Sequence, residues 1–235
     1  MRMIEIKSFI KTSMVDWDGK VTSVIFLPNC NFRCPMCHNH ELILNPSKYQ
    51  SISISDIKRY LEMHSDFIDG VVITGGEPTM HKDLGSLIKQ FRDMGFQIKL
   101  DTNGSFPNVI RNLVEKELVD YVAMDVKAPL TDGKYKKVAG VDVEISRIRE
   151  SVDYLMKSGI EYEFRTTVVP TLHTEEDIIE IAREIEGAKK FVLQKFEPKN
   201  AMDEKLRKLK PHDASYLKQL AEKCKCFVSK IKVRA

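Results

Sequence analysis

The sequence predicts an α/β fold, a partial and open (β/α)6 barrel of parallel strands, on three observations. Strand-like and helix-like segments alternate six times along the 235 residues, and such alternation builds parallel βαβ units. Six units are too few to close the eight-stranded barrel. No glycine- or serine-rich linker and no shift in composition divides the chain, which therefore reads as one domain over 1–235, with a core of about 21–198 and a helical tail over 199–235.

The elements follow in order. Val21 to Leu27 is a short apolar run and reads as the first strand; a cysteine-rich loop follows it directly. Ile54 to His64 has helical character, with Ser55 and Asp56 at its start. Gly70 to Thr74 reads as a buried strand and ends in Gly75-Gly76-Glu77-Pro78. Leu84 to Met94 is an amphipathic helix closed by Gly95, where a left-handed cap is expected. Phe96 to Leu100 is a strand ending in Asp101-Thr102-Asn103-Gly104, and Pro107 to Lys116 a helix. Asp120 to Met124 is a strand ending in Asp125-Val126-Lys127. Glu144 to Ser158, closed by Gly159, is a helix, Tyr162 to Val169 a strand and Glu175 to Glu186 a helix. Lys190 to Gln194 is the sixth strand, Asp213 to Lys223 the last helix, and Cys226 to Val233 a further short strand.

Hydrophobic residues are 43% and charged residues 30%, enough apolar content to bury a core. The formal net charge of +3 demands no nucleic-acid partner, and no apolar run approaches a membrane span. The first residues, MRMIEIKSFIKTS, lack the apolar core of a signal peptide. Unpaired, clustered cysteines belong in a reducing compartment. A cytoplasmic protein, bound neither to membrane nor to nucleic acid, is expected.

In parallel α/β sheets ligands bind beyond the carboxyl ends of the strands, and each unusual motif here follows a strand at that end. Cys30, Cys34 and Cys37 form an odd, closely spaced trio, which suits a metal better than disulfides. Three thiolates can hold a four-iron, four-sulfur cluster and leave one iron open; the alternative is a structural zinc with His38 or His40 as fourth ligand. The accompanying motifs favour the cluster. Pro35 limits the loop, and Phe32 and Met36 can shield it. Gly75 and Gly76 permit close backbone approach, and Glu77 offers a carboxylate to a ligand ammonium; alone, the same four residues are an ordinary turn. Asp101 and Asp125 end adjacent strands and can share a cation, with Thr102 adding an oxygen, or can serve as helix N-caps. Arg165 and Lys127 point cations at the same rim, for a phosphate or carboxylate ligand or for a plain salt bridge. His38, Asn39 and His40 follow the cysteine loop and Gln194 closes the sixth strand, whereas His64, His81, His173 and His212 read as surface residues. Cys224 and Cys226 read as structural or incidental, and the basic run Lys205 to Lys210 as a solvated face.

At these residues the chain resembles the radical S-adenosylmethionine (radical SAM) superfamily, whose signature is the Cys30, Cys34, Cys37 pattern with GGEP as its companion; the agreement runs from about Val21 through Pro198. More narrowly it resembles the activating enzymes of glycyl radical enzymes, through Cys37-His38-Asn39, Asp101-Thr102-Asn103-Gly104, Met124-Asp125-Val126-Lys127, and Arg165 followed by Val168-Val169-Pro170. Asp16-Trp17-Asp18-Gly19 with Gln194-Lys195-Phe196-Glu197-Pro198 looks most like the anaerobic ribonucleoside-triphosphate reductase activating proteins. Two features depart from the pattern. Met36 stands where an aromatic residue is usual, and Asp16 to Gly19 replaces the glycine- and proline-containing turn of pyruvate formate-lyase activators. No ferredoxin-like cysteine insert is present.

The resemblance implies a [4Fe-4S] cluster on the catalytic Cys30, Cys34 and Cys37, and S-adenosylmethionine as co-substrate. It implies cofactor contacts from Met36, His38, Asn39, Gly75, Gly76, Glu77, Asp101, Asn103, Lys127, Arg165 and Gln194, and a monovalent cation, Na+ or K+, at Asp101, Thr102 and Asp125. The implied reaction cleaves S-adenosylmethionine to a 5′-deoxyadenosyl radical that makes a glycyl radical on a partner enzyme, with flavodoxin or ferredoxin as electron donor. Alternatives are the activator of another glycyl radical enzyme such as pyruvate formate-lyase, a radical SAM enzyme acting on a small molecule or peptide, or a zinc-stabilised or electron-transfer module.

Overall fold

The computed structural model describes residues 4–235. Its strands are β1 (Ser8–Ser13), β2 (Thr22–Leu27), β3 (Gly70–Gly75), β4 (Gln97–Thr102), β5 (Tyr121–Asp125), β6 (Glu161–Val168), β7 (Phe191–Lys195) and β8 (Ile231–Arg234). They lie in sequence order in one sheet, and the order ends at β1 and β8 without a closing pair among the described residues. The helices are α1 (His40–Leu44), α2 (Ile54–Met63), α3 (Leu84–Arg92), α4 (Pro107–Glu115), α5 (Asp132–Ala139), α6 (Ile145–Lys157), α7 (Glu175–Glu184) and α8 (Ala214–Cys224). The open α/β expectation holds, with eight strands where the alternation had shown six and a short seventh. The extra strand is β1, antiparallel to β2. The expected helical tail supplies α8 and also β8, which pairs in parallel with β7. No helix among the described residues is long and apolar enough to cross a membrane.

The chain forms two compact units. One comprises the N-terminal stretch to Asn31 with Asn39–Thr102 and Asn108–Val122; the other comprises Phe32–His38, Asn103–Pro107 and Ala123–Ala235. In the first, β2 and β3 pair from Thr22 opposite Gly70 to Leu27 opposite Gly75, so the loops after the two strands leave at one level. Val71, Val72 and Ile73 are fully buried, which is why this strand reads as an unbroken apolar run. Helix α3 buries Leu84, Leu87, Ile88 and Phe91, one face at helical spacing. Trp17 packs on Val24 and Val72, with the Tyr121 ring centroid 5.7 Å away.

In the second unit β6 and β7 pair from Phe164 opposite Phe191 to Val168 opposite Lys195. Helix α7 starts in a capping box of Thr174 and Asp177. It buries Ile178, Ile181 and Ala182, and α8 packs beside it with Leu217, Leu220 and Cys224 inward. Helix α5 was not anticipated. It ends at Gly140 in a left-handed conformation, φ 71°.

Candidate functional site

Within the first unit three motifs meet at the carboxyl ends of β2, β3 and β4. The Gly76 amide donates to the Leu27 carbonyl (2.8 Å) and the Glu77 amide to the Asn29 carbonyl (2.8 Å), which stitches GGEP to the start of the cysteine loop. A Cβ on Gly76 would stand 1.7 Å from the Asn29 oxygen, so the approach itself requires glycine. Asn29 is left-handed at φ 64°, and the half-buried Cys30 follows it. Asn39 Nδ2 donates to the Gly75 carbonyl at 2.9 Å. His81, expected at the surface, is half-buried and contacts the Pro28 carbonyl through Nε2 at 2.9 Å.

Glu77 is 1% exposed. Its Oε1 accepts from the Thr79 amide (3.0 Å), from the Thr79 hydroxyl and from the Thr102 hydroxyl (2.7 Å). That carboxylate thus joins the end of β3 to the end of β4, and Thr102 directs its proton at Glu77. Asp101 is paired with the buried Lys99, Oδ1 to Nζ 3.3 Å. Lys99 Nζ also donates to the Asp16 carbonyl and stands 5.9 Å from the Tyr121 ring centroid. Sequence reasoning passed over Lys99, although a lone cation in the apolar run Ile98-Lys99-Leu100 is visible there.

Within the second unit the rest of the cysteine loop is fastened at several points. The Arg33 amide donates to the Ala139 carbonyl at the end of α5 (2.8 Å), and a Cβ on Gly140 would lie 2.1 Å from the Arg33 oxygen. The buried Phe32 meets the Tyr135 ring, centroids 6.4 Å apart and nearly perpendicular. The Cys37 amide closes a tight turn on the Cys34 carbonyl (2.9 Å), and the Asp203 amide donates to the Pro35 carbonyl (2.9 Å). Exposed His38 contacts the Glu197 carbonyl through Nε2 at 2.5 Å and stacks on Phe196. Met36, within this loop, is buried.

Asp125 and its cations stand next to it. Arg165 Nε donates to Asp125 Oδ1 at 2.8 Å and Lys127 Nζ to Oδ2 at 3.2 Å. Burial alone would raise the Asp125 carboxyl, but Arg165 and then Lys127 outweigh it and hold it below the usual carboxylate range. Each aspartate is therefore held by a cation of the chain itself, and the N-cap position of α5 is Thr131, not Asp125, with no side-chain capping bond. Asn103 Oδ1 accepts from the Ser105 amide (3.0 Å) and hydroxyl (2.6 Å), closing the turn after β4. Gln194 lies in β7 opposite Thr167 and Arg234.

His173, also expected at the surface, is 5% exposed. Its Nδ1 accepts from the Val169 amide at 3.1 Å, so Nε2 carries the proton and donates to the Lys127 carbonyl at 2.8 Å. The Tyr135 hydroxyl receives the Lys127 amide at 3.4 Å. The backbone of Lys127 is gripped from both sides.

The donor set fits an iron–sulfur cluster. All five cysteines are free thiols, so none of the trio is lost to a disulfide. Burial pushes the Cys34 thiol up to about 11, while Lys127 pulls it down and Cys37 and Asp125 push it further up. A bound metal requires the thiolate, so loading this position releases a proton and Lys127 favours that release. Among the described residues no three His, Cys, Asp or Glu side chains converge on a single metal ion. Cys224 is buried, its thiol toward the Ile178 carbonyl (3.7 Å), and Cys226 is exposed.

Residues 24–185 match the family model of the radical SAM superfamily. The chain belongs to that superfamily. This radical SAM chain is 34% identical over 235 residues, 97% of its length and 95% of the relative's, to a Methanocaldococcus jannaschii protein provisionally designated glycyl-radical enzyme activating enzyme MJ1227. It is 26% identical over 254 residues to the pyruvate formate-lyase-activating enzyme of Clostridium pasteurianum, covering 94% of this chain and 100% of that one. Among solved structures, Streptococcus suis SuiB bound to precursor peptide SuiA superposes with a TM-score of 0.68 at 18% identity, over 89% of this chain. The chain spans about half (48%) of SuiB's length. That likeness establishes a shared fold.

Proposed function

We propose that this radical SAM chain is an activase that generates a glycyl radical on a partner enzyme, the partner being anaerobic ribonucleoside-triphosphate reductase. Near-full-length similarity to a protein designated a glycyl-radical enzyme activating enzyme carries the reading. The narrower choice of partner rests on Asp16 to Gly19 and Gln194 to Pro198. We read the chain as one radical SAM domain, since the family match runs through segments of both units. The free thiols suit the cytoplasm.

Cys30, Cys34 and Cys37 would hold a [4Fe-4S] cluster. With the cluster and S-adenosylmethionine bound, the chemistry supplied is one-electron cleavage of a carbon–sulfur bond, giving a 5′-deoxyadenosyl radical that takes hydrogen from a glycine α-carbon. The chain's residues bind, orient and exclude water. The pinned loop sets where the Cys34 and Cys37 thiols stand. Arg165 and Lys127 keep Asp125 ionised, and a guanidinium and an ammonium side by side suit the carboxylate of a bound amino acid. Gly75, Gly76, Glu77, Asn103 and Gln194 would complete the cofactor's surroundings. A monovalent cation at Asp101, Thr102 and Asp125 would have to share carboxylates already held by Lys99, Arg165 and Lys127.

The deciding experiment is an anaerobic electron paramagnetic resonance spectrum of the reconstituted, reduced protein with S-adenosylmethionine and the reductase polypeptide of the same organism. A glycyl radical doublet is expected. A cluster signal that shifts with S-adenosylmethionine but gives no doublet would retain the superfamily chemistry and reject this partner.

A further inference from the structure

Lys99 stands where an apolar side chain belongs. It pairs with Val72 across β3 and β4, as Val72 does with Val24 across β2 and β3, and Trp17 packs on both valines. An ammonium in such a row is costly unless it is bonded and its charge is met. Here it is met by the Asp16 carbonyl, by Asp101 Oδ1 at 3.3 Å and by the Tyr121 ring, centroid 5.9 Å away. Oxygens and an aromatic face are also what a bare monovalent cation accepts. The Lys99 side chain is 2% exposed and that of Asp101 15%, so the ammonium is sealed in while the carboxylate keeps an opening. Stability does not explain the pair, since apolar residues in place of a buried ion pair are often neutral or better. Lys7, the other buried lysine among the described residues, is met by Glu5, the Tyr49 carbonyl and Ser51, none of them an expected cation ligand.

The three side chains expected to hold a monovalent cation are engaged by groups of the chain. Asp101 faces Lys99, two residues back on the same face of β4. Thr102, the next residue, lies on the opposite face and gives its hydroxyl proton to Glu77 Oε1 at 2.7 Å. In the other unit Asp125 is held by Arg165 Nε at 2.8 Å and Lys127 Nζ at 3.2 Å. This set does not fit a free alkali ion. A second unit charge on the Asp101 carboxylate would stand at contact range from a sealed ammonium, where water does not screen the repulsion. We infer that the Lys99 ammonium takes the place of the monovalent ion, and that this chain works without Na+ or K+. Lys99 is a positioning residue: it acts through Asp101, whose charge and orientation at the end of β4 it sets. The inference rests on the proposed function only in taking that strand end as part of the cofactor's surroundings.

The test compares the full chain with its variant Lys99→Met in sodium, potassium and choline chloride, each at about 0.1 M so that screening is equal. Choline is too large for such a site. Apo wild type is expected to melt at one temperature in all three salts and to leave the sodium magnetic resonance line unbroadened. Apo Lys99→Met should melt higher in sodium or potassium than in choline, because an ion bound only to the folded form stabilises it. It should broaden the sodium line, and added potassium should reverse the broadening. The double variant K99M/D101N, with neither charge, should lose the salt response again. After loading with iron and sulfide, wild type should bind S-adenosylmethionine equally in the three salts, and Lys99→Met about tenfold more weakly in choline than in potassium. Wild type that responds to sodium or potassium over choline would overturn the inference. So would Lys99→Met that is indifferent to the three salts or folds in none of them, since an alkali ion would then not replace the ammonium. A salt response that survives in K99M/D101N would place the ion away from Asp101 and overturn it too. Loaded wild type that binds no S-adenosylmethionine in any salt would reject the proposed function and leave the apo melts standing.

Discussion

Arg234 in β8 reaches across β7 to Glu163 in β6, donating through both terminal guanidinium nitrogens at 2.8 and 3.0 Å. Lys190 Nζ adds a third contact at 2.7 Å. Glu163 is 1% exposed, and burial alone would raise its carboxyl. The bonds from Arg234 and Lys190 reverse that and bring it down to about 2. The folded value lies below the unfolded one, so this stabilisation is complete above the unfolded pKa of 4.5 and is lost as pH falls toward 2. Arg234→Met should lower stability by about 3 kcal/mol at neutral pH, since it strands part of a buried pair. The loss should shrink in acid, as read from urea midpoints at several pH values.

Gly76→Ala should be among the most damaging single-methyl additions in the chain, costing on the order of 3 kcal/mol or more, because the new Cβ lands on the Asn29 carbonyl. Gly85→Ala in α3 meets nothing closer than 3.5 Å and should be neutral or stabilising by about 0.5 kcal/mol. Thermal melts of the two variants check both expectations, and a tolerated Gly76→Ala would show that the loop can move aside.

Iodoacetamide should sort the thiols of the apo protein by burial. Cys226, exposed, should be labelled first, and Cys34 and Cys224, each pushed up to about 11 by burial, last. After iron and sulfide loading, peptide mass spectrometry should find Cys30, Cys34 and Cys37 protected together and Cys226 still reactive. Protection of Cys224 with the trio would argue for a different ligand set.

Buried His173 has a depressed pKa, chiefly through burial, against the bond to the Lys127 carbonyl, which favours the charged form. Its stabilisation is therefore full above the unfolded value of 6.5 and declines as pH falls below it. In His173→Gln, the fall in melting temperature between about pH 7 and pH 5 should be shallower than in wild type. Identical slopes would mean that another group titrates there.

Asp125→Ala should retain iron content and weaken S-adenosylmethionine binding by about tenfold or more, because it leaves Arg165 and Lys127 without the carboxylate that orients them. Calorimetry in potassium and in lithium buffer separates the cation: equal affinities in wild type would remove a monovalent ion from the site.

Much of the fold was legible because parallel strands covered on both faces read as apolar runs, as in Gly70 to Thr74 and Asp120 to Met124. β1 was passed over because Ser8-Phe9-Ile10-Lys11-Thr12-Ser13 is an edge strand with exposed polar positions. α5 was passed over because Asp132 to Ala139 is short and lysine-rich, although Tyr135, Val138 and Ala139 carried the inward spacing. The distant partners of the site residues were not legible. Thr102 for Glu77 and the Lys127 carbonyl for His173 come from 25 and 46 residues away, which local pattern does not encode, whereas Lys99 for Asp101 lies two residues back on the same strand and could have been read.

The fastening of Phe32 and Arg33 to α5 has a consequence for the protein's life in the presence of oxygen. Small zinc modules acquire their shape from the metal and collapse without it. Here the loop bearing Cys34 and Cys37 is shaped by a helix cap, an aromatic edge and a backbone bond to Asp203, none of which involves a thiol. Destruction of the cluster would leave a folded receptor, and refilling would not have to repeat the ordering of that loop. The scaffold is reusable; the inorganic centre is the consumable part.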